Sequence, residues 1–185
     1  MTVLVVGGSK SGKSSLAQKI AVRLAEGRDM YYIATMIPSD EEDRARIARH
    51  IEDRAGMKFR TLEQGKNLRD VISRAESSGT FLLDSVTALL SNEFFPPEKN
   101  YAPDESAGKR AADDIIFLSR QVENLIVVAD DIFRDAARYD EITQSYRKAL
   151  GDILRAVAAA ADTVIETATG NAIVHKGAEH IDTLA

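Results

Sequence analysis

The 185-residue chain contains no cysteine, which excludes disulfides, thiolate nucleophiles and cysteine-based zinc sites. A chain without thiols fits a reducing compartment. It also lacks a basic surplus: 24 Lys and Arg stand against 29 Asp and Glu, a net charge of −5. Such a balance does not suit nonspecific grip on nucleic acid. No uncharged apolar run approaches the ~18 residues of a membrane span. No charged n-region with a long apolar stretch marks a signal peptide ahead of the first strand. A cytoplasmic protein is therefore the expectation. Proline is scarce, and three of the four residues fall in Phe94-Phe95-Pro96-Pro97-Glu98-Lys99-Asn100-Tyr101-Ala102-Pro103. That segment cannot form a regular helix or a central strand. It reads either as a surface crossover loop or, because its aromatics are available to a ligand, as a lid or acceptor-binding loop.

Elsewhere short apolar runs alternate with longer helical patterns, as a parallel α/β sheet requires. Strands are expected near Thr2–Val6, Met30–Ala34, Lys58–Thr61, Thr80–Asp84, Leu125–Ala129 and Thr163–Thr167, with a short return near Asn171–His175. Helices are expected over Lys13–Glu26, Asp40–Ala55, Lys66–Glu76, Ser85–Glu93, Lys109–Glu123 and Asp140–Ala161. In the last, Ile142, Tyr146, Leu150, Ile153, Leu154 and Val157 recur at helical spacing. No internal repeat or low-complexity tract interrupts the pattern. A single domain over residues 1–185 is expected, within the size range of one core.

What the chain does carry is specific. Gly7-Gly8-Ser9-Lys10-Ser11-Gly12-Lys13-Ser14 fits G-x-x-x-x-G-K-[ST] directly after the strand candidate Val3-Leu4-Val5-Val6. A helix opens behind it at Ser15. Strand, glycine-rich loop and helix are the context of a phosphate-binding P-loop. Its backbone N–H groups and the helix N-terminus cradle phosphate oxygens. Lys13 reaches the β- and γ-phosphates, and the Ser14 hydroxyl ligates Mg²⁺. Gly8, Ser9, Lys10, Ser11, Gly12, Lys13, Ser14 and Ser15 are the candidate nucleotide contacts. Farther on, Thr80-Phe81-Leu82-Leu83-Asp84 is an apolar strand ending in an acid, the Walker-B pattern. Asp84 could hold Mg²⁺ or accept a proton from an attacking hydroxyl. It could equally cap the helix that opens at Ser85.

These pieces resemble the bifunctional adenosylcobinamide kinase/adenosylcobinamide-phosphate guanylyltransferase family of cobalamin biosynthesis. Residues 7–14 are similar to that family's Gly-Gly-x-x-Ser-Gly-Lys-Ser loop, and Tyr32-Ile33-Ala34-Thr35 to its second strand. Asp40-Glu41-Glu42 with Arg46-Ile47 and His50 resembles its acidic stretch leading into Arg-Ile-x-x-His. Phe59-Arg60-Thr61-Leu62-Glu63 and Leu83-Asp84-Ser85-Val86-Thr87 with Asn92 continue the likeness, which returns at Ala158–Asp162. Between them the chain departs. Ala129-Asp130-Asp131-Ile132-Phe133 stands where the family carries Asn-Glu-Val-Gly. Leu154-Arg155 replaces Asn-Gln, Ser85 replaces a cysteine, and Arg54-Ala55 replaces Arg-Pro.

The resemblance implies an α/β fold of the P-loop NTPase (RecA-like) type, a mostly parallel sheet with helices on both faces and a short antiparallel return strand. It implies phosphorylation of adenosylcobinamide by ATP or GTP with Mg²⁺, then GMP transfer from GTP to adenosylcobinamide-phosphate through a guanylylated histidine. His50 matches that histidine, and Lys13 and Asp84 would serve the kinase step. Ile33, Ala34, Thr35, Ile51, Glu52, Asp53, Arg54 and Glu63 would line the guanine nucleotide, and Ser14 and Asp84 the metal. A homo-oligomer, specifically a trimer, is implied as well. Read by spacing alone, Arg46, His50 and Arg54 share one helix face, with Ile47 and Ile51 on an adjacent, buried edge. Two guanidinium groups beside an imidazole suit attack on a triphosphate. The same spacing also describes a polar surface in which the arginines pair with Glu42, Asp43 or Glu52. Two other readings stay open: a P-loop kinase for another small alcohol, and a nucleotide-dependent binding or regulatory protein. His175 and His180 are read as noncatalytic.

Overall fold

The computed structural model describes residues 1–180; the last five positions of the expected 1–185 domain lie outside the described residues. The chain alternates β1 (Thr2–Gly7), α1 (Lys13–Ala25), β2 (Met30–Ala34), α2 (Glu41–Asp53), β3 (Arg60–Glu63), β4 (Thr80–Asp84) and α3 (Val86–Phe94). It continues through α4 (Ala107–Gln121), β5 (Asn124–Asp130), α5 (Glu141–Ala160), β6 (Thr163–Ala168) and β7 (Asn171–Lys176). The strands form one sheet in the order β3-β2-β4-β5-β1-β6-β7. All neighbours pair in parallel except β6 and β7, which are antiparallel.

Because side chains alternate along a strand, the sheet has two different faces. Val3, Val5, Tyr32, Leu82, Ile126 and Val128 pack under α1 with Ala17, Ile20, Ala21 and Leu24. Leu4, Tyr31, Ile33, Phe81, Leu83, Leu125 and Val127 pack on the other side with residues of α3, α4 and α5. Phe81 is fully buried and stacks on Tyr31 at 4.8 Å. Each such side chain contributes roughly 1.5–3 kcal/mol by leaving water. Helices therefore cover both faces, and β1 sits inside the sheet with its carboxyl end open to the crevice where such sheets take ligands.

Three expectations need correction. The helix expected over Lys66–Glu76 is a 3-10 segment, Leu68–Arg74. Its two buried residues, Leu68 and Val71, are three apart, the spacing that a three-residue turn eclipses. The strand expected at Lys58–Thr61 pairs two residues later, over Arg60–Glu63, where Leu62 is buried against the core. The buried edge expected for α2 is absent: the helix has no buried residue, and Ile51 is 53% exposed.

Candidate active site

The phosphate loop follows the carboxyl end of β1, where Gly7 and Gly8 carry no side chain. A Cβ on Gly7 would overlap Thr167 Oγ1 and Ser11 Oγ, so only hydrogen fits. Ser11 Oγ and Thr167 Oγ1, 2.7 Å apart and buried, tie the loop to β6. Gly12 turns the chain into α1 at φ 92°, a left-handed value that glycine adopts without strain. No side chain caps α1 and no acid lies in its first turn. Its first amides thus present unsatisfied donors and a positive dipole end, which is what an anion needs. Ser9, Lys10, Gly12 and Ser15 are exposed, Gly8 and Ser14 half-buried, Ser11 and Lys13 buried.

Lys13 is held on two sides. Its Nζ donates to the Gly8 carbonyl at 3.2 Å and pairs with Asp130 Oδ1 at 2.7 Å. Asp130 ends β5, directly opposite Gly7 in the β1–β5 register. Sequence reasoning treated it only as a departure from the family pattern. The signal was present nonetheless: Leu125–Ala129 is an apolar strand ending in an acid, the same pattern that singled out Asp84.

Asp84 ends β4, on the side of β5 away from β1. Its Oδ2 accepts from the Tyr32 hydroxyl at 2.9 Å. Burial, and then the negative charge of Asp84, pushes the Tyr32 phenol well above its ordinary range, so it stays a donor. The Arg54 guanidinium lies 4.0 Å over the Tyr32 ring, a cation–π arrangement. Arg54 also donates to the His50 carbonyl at 2.7 Å and to Thr61 Oγ1 at 3.3 Å. The expected arrangement of two guanidinium groups beside the imidazole is therefore not present: Arg54 is buried and turned toward β2. His50 is half-exposed on α2, and its imidazole makes no hydrogen bond or ion pair among the described residues.

The other candidate nucleotide contacts fall in different surroundings. Ile33 is fully buried in the core. Thr35 is buried too, its hydroxyl donating to the Ser85 carbonyl and accepting from the Ser85 N–H, both at 2.8 Å. Ala34 is half-buried, whereas Ile51, Glu52, Asp53 and Glu63 are exposed. Ser85 caps α3 through its hydroxyl, accepting from Ala88 N at 3.3 Å, which leaves the Asp84 carboxylate free of that task. A serine hydroxyl and a carboxylate are oxygen donors of the kind Mg²⁺ takes, so Ser14 and Asp84 fit that ion.

A cleft of ≈640 Å³ opens beside this centre on the face of the sheet that carries α3 and α5. Asp130, Arg46 of α2, and Phe95, Pro97 and Tyr101 from the proline-rich segment are among the residues that line it. A depression of ≈680 Å³ runs along α5 beside Phe133, Leu154 and Arg155, and Asp130 does not line it.

A family model described as cobinamide kinase / cobinamide phosphate guanyltransferase matches residues 3–174. The bifunctional adenosylcobalamin biosynthesis protein CobP of Pseudomonas aeruginosa is 30% identical over 178 residues, covering 96% of this chain and 98% of that protein. CobU of Salmonella typhimurium, with the same description, is 28% identical over 173 residues, covering 89% and 93%. Among solved structures, a KaiC-like protein of Pyrococcus horikoshii superposes with a TM-score of 0.50 at 14% identity, covering 96% of this chain and 80% of that one. A type III secretion ATPase from pathogenic bacteria gives 0.52 at 11% identity, covering 100% and 58%. These likenesses show a P-loop NTPase fold.

Proposed function

The chain belongs to the cobinamide kinase / cobinamide phosphate guanyltransferase family, and from that premise we propose that one centre in one domain performs both reactions. The enzyme phosphorylates adenosylcobinamide and then converts the phosphate to adenosylcobinamide-GDP. The observation that carries the reading is Lys13, fixed inside a complete phosphate loop by Gly8 and by the strand-end acid Asp130.

In the kinase step the loop amides of residues 8–15 and Lys13 hold the triphosphate and stabilise the charge that spreads over the γ-phosphoryl group. The hydroxyl oxygen of the acceptor forms a bond to the γ-phosphorus as the bridging P–O bond breaks and the nucleoside diphosphate leaves. Asp84, oriented by Tyr32, takes the hydroxyl proton, or with Ser14 would hold the metal ion. Mg²⁺ held there would neutralise phosphate charge. In the second step a ring nitrogen of His50 attacks the α-phosphorus of GTP, forming a P–N bond and releasing pyrophosphate. A phosphate oxygen of adenosylcobinamide-phosphate then attacks the same phosphorus, the P–N bond breaks, and the imidazole is restored. Ala34, Ile51, Glu52, Asp53 and Glu63 are the exposed or half-exposed groups available to the guanine nucleotide, while Ile33, Thr35 and Arg54 would act by shaping its backing.

No helix among the described residues is long and apolar enough to cross a membrane, and the nucleotide substrates are those of the cytoplasm, where we place the enzyme. A homo-oligomer, with a trimer as the form the resemblance implies, would cover α2.

The test is intact-protein mass spectrometry after incubation with Mg²⁺ and GTP, with ATP and His50→Ala as controls. An acid-labile GMP adduct that needs GTP and is lost in the variant supports the two-step reading. No adduct, with cobinamide still phosphorylated, leaves a monofunctional kinase. Lys13→Ala should lower phosphorylation at least ~100-fold, the scale on which removing one charge-stabilising donor acts; retained turnover would sink the kinase assignment.

A further inference from the structure

The cleft beside the phosphate loop differs from it in chemistry and in the face of the sheet it uses. We propose that it is the acceptor subsite, taking the alcohol-terminated arm of the corrinoid while the macrocycle lies across its mouth. The proposal rests on the family activity stated above and names where that activity's second substrate sits.

Position comes first. The nucleotide loop leads into α1, which packs on one face of the sheet, whereas the cleft is walled by α3 and α5 on the other. The two meet over the strand ends at Asp130, which lines the cleft and lies 2.7 Å from Lys13 Nζ. A hydroxyl that reaches Asp130 in the cleft is thereby brought beside the lysine that serves the γ-phosphate, from the sheet face opposite α1. Phosphoryl transfer needs that separation, since attacking and leaving oxygens lie roughly in line.

The lining matches a large planar substrate with apolar faces and a polar fringe. Tyr101 is 64% exposed and Ile37 53% exposed. They come from two different loops, after α3 and after β2, and line this same cleft. Paired exposed apolar groups on a concave surface mark a binding site rather than ordinary surface scatter. Phe95 and Tyr146, also in the lining, stack with ring centroids 6.0 Å apart, and the Tyr146 hydroxyl donates to the Thr87 carbonyl at 2.9 Å. Burial holds the Tyr146 phenol above its ordinary range, so this ring pair stays neutral. The walls are braced as well: the Asn92 side-chain amide donates to the Thr35 carbonyl at 2.7 Å and to the Gly65 carbonyl at 2.9 Å. A site braced before its ligand arrives loses less ordering entropy on binding.

Arg46 extends the argument to the second reaction. It lines the cleft from α2, one helical turn before His50 and so on the same face. Once phosphorylated, the arm carries a dianion that a guanidinium can pair with. The same subsite therefore presents the hydroxyl to Lys13 in the first step and the phosphate toward α2 in the second.

The experiment uses full-length protein and cobinamide as probe. Tyr101→Ala removes the mouth, and Ser91→Trp, at an exposed cleft position of α3, plugs it. Each should raise the cobinamide KM about tenfold or more while the GTP KM holds, and equilibrium dialysis of cobinamide against nucleotide-free protein should show the same loss. Unchanged cobinamide KM and Kd in both variants would overturn the subsite. Wild-type protein that binds cobinamide in dialysis but never phosphorylates it would instead overturn the activity reading and leave the cleft standing; failure of wild-type protein to bind it would overturn the cleft.

Discussion

Tyr32 connects two groups that the proposed mechanism assigns to different steps. Its hydroxyl orients the Asp84 carboxylate, and its ring carries the guanidinium of Arg54, which in turn holds the last turn of α2 through the His50 carbonyl. Tyr32→Phe removes the first contact and keeps the second. Asp84 then loses a buried donor, at a cost of about 1 kcal/mol to folding. Cobinamide phosphorylation should fall roughly tenfold in kcat, the scale seen when a group that orients a ligand-binding carboxylate is removed. The KM for nucleotide should hold, because the loop amides are untouched. Steady-state kinetics decide it: equal kcat in variant and wild type would mean Asp84 needs no orienting. Residues of this kind are only half legible from sequence. Lys13, Ser14 and Asp84 announce themselves because a motif fixes their type and their place, at the start of α1 for the first two and at the end of β4 for the third. Asp130 carries the same signal, but the P-loop and one acid already made a complete reading. Arg54 misleads for a geometric reason: spacing puts it on the His50 face, yet it is the C-cap of α2 at φ −101°, ψ 6°. Its side chain therefore leaves the helix surface and turns inward.

The segment between α3 and α4 gives Phe95, Pro97 and Tyr101 to the cleft, and one side chain organises it. Asp104 accepts from Lys99 Nζ at 2.8 Å and from Ser106 N at 3.0 Å, and Asp104 N donates to the Phe94 carbonyl at 2.8 Å. The Lys99 and Ser106 bonds hold its carboxyl far below the ordinary carboxylate value of 3.8. A depressed folded value means that the stabilisation is complete above about 3.8 and is lost as pH falls toward the folded value. Asp104→Asn should therefore destabilise the protein by about 1 kcal/mol at neutral pH, the ordinary worth of such a surface network. The gap from wild type should close as pH drops below 4. Urea unfolding at both pH values checks this, and a gap that persists in acid would show that charge is not what Asp104 contributes. The prolines made the irregularity of this segment legible, but not its order: Phe94 ends α3 fully buried, and Pro97–Lys99 forms a 3-10 turn. Strand and helix positions elsewhere fell within a residue or two where the apolar period was clean, as in β4 and α5. They slipped at β3 and at Leu68–Arg74, where only one or two residues enter the core and the period carries little information.

At the scale of the whole molecule, α2 is the anomaly. Thirteen residues form a helix, capped by Asp40 accepting from Asp43 N at 2.8 Å, and none of them is buried. A short helix gains little from propensity and local charge pairs alone, and in proteins tertiary packing of an apolar face supplies most of its stability. Here Arg54 against the Tyr32 ring anchors one end while Ile51 faces outward at 53% exposure. The helix carries His50, so the histidine would be only as well positioned as the support beneath it. A second copy of the chain laid against this edge would supply the missing surface. Each Ile51 withdrawn from water would contribute roughly 1.5–3 kcal/mol, and symmetry repeats the contact in every protomer. Light scattering on purified protein should then give a multiple of 20.2 kDa, threefold for the trimer. Ile51→Glu should shift the mass toward one protomer and lower GMP adduct formation at His50, while cobinamide phosphorylation at the phosphate loop persists. A wild-type monomer at micromolar concentration would end the proposal. An Ile51→Glu protein that keeps both its mass and its adduct would place the contact elsewhere on the surface. The pairing of the two readouts is what makes the measurement informative, because assembly acting through α2 must move the mass and the guanylylation together.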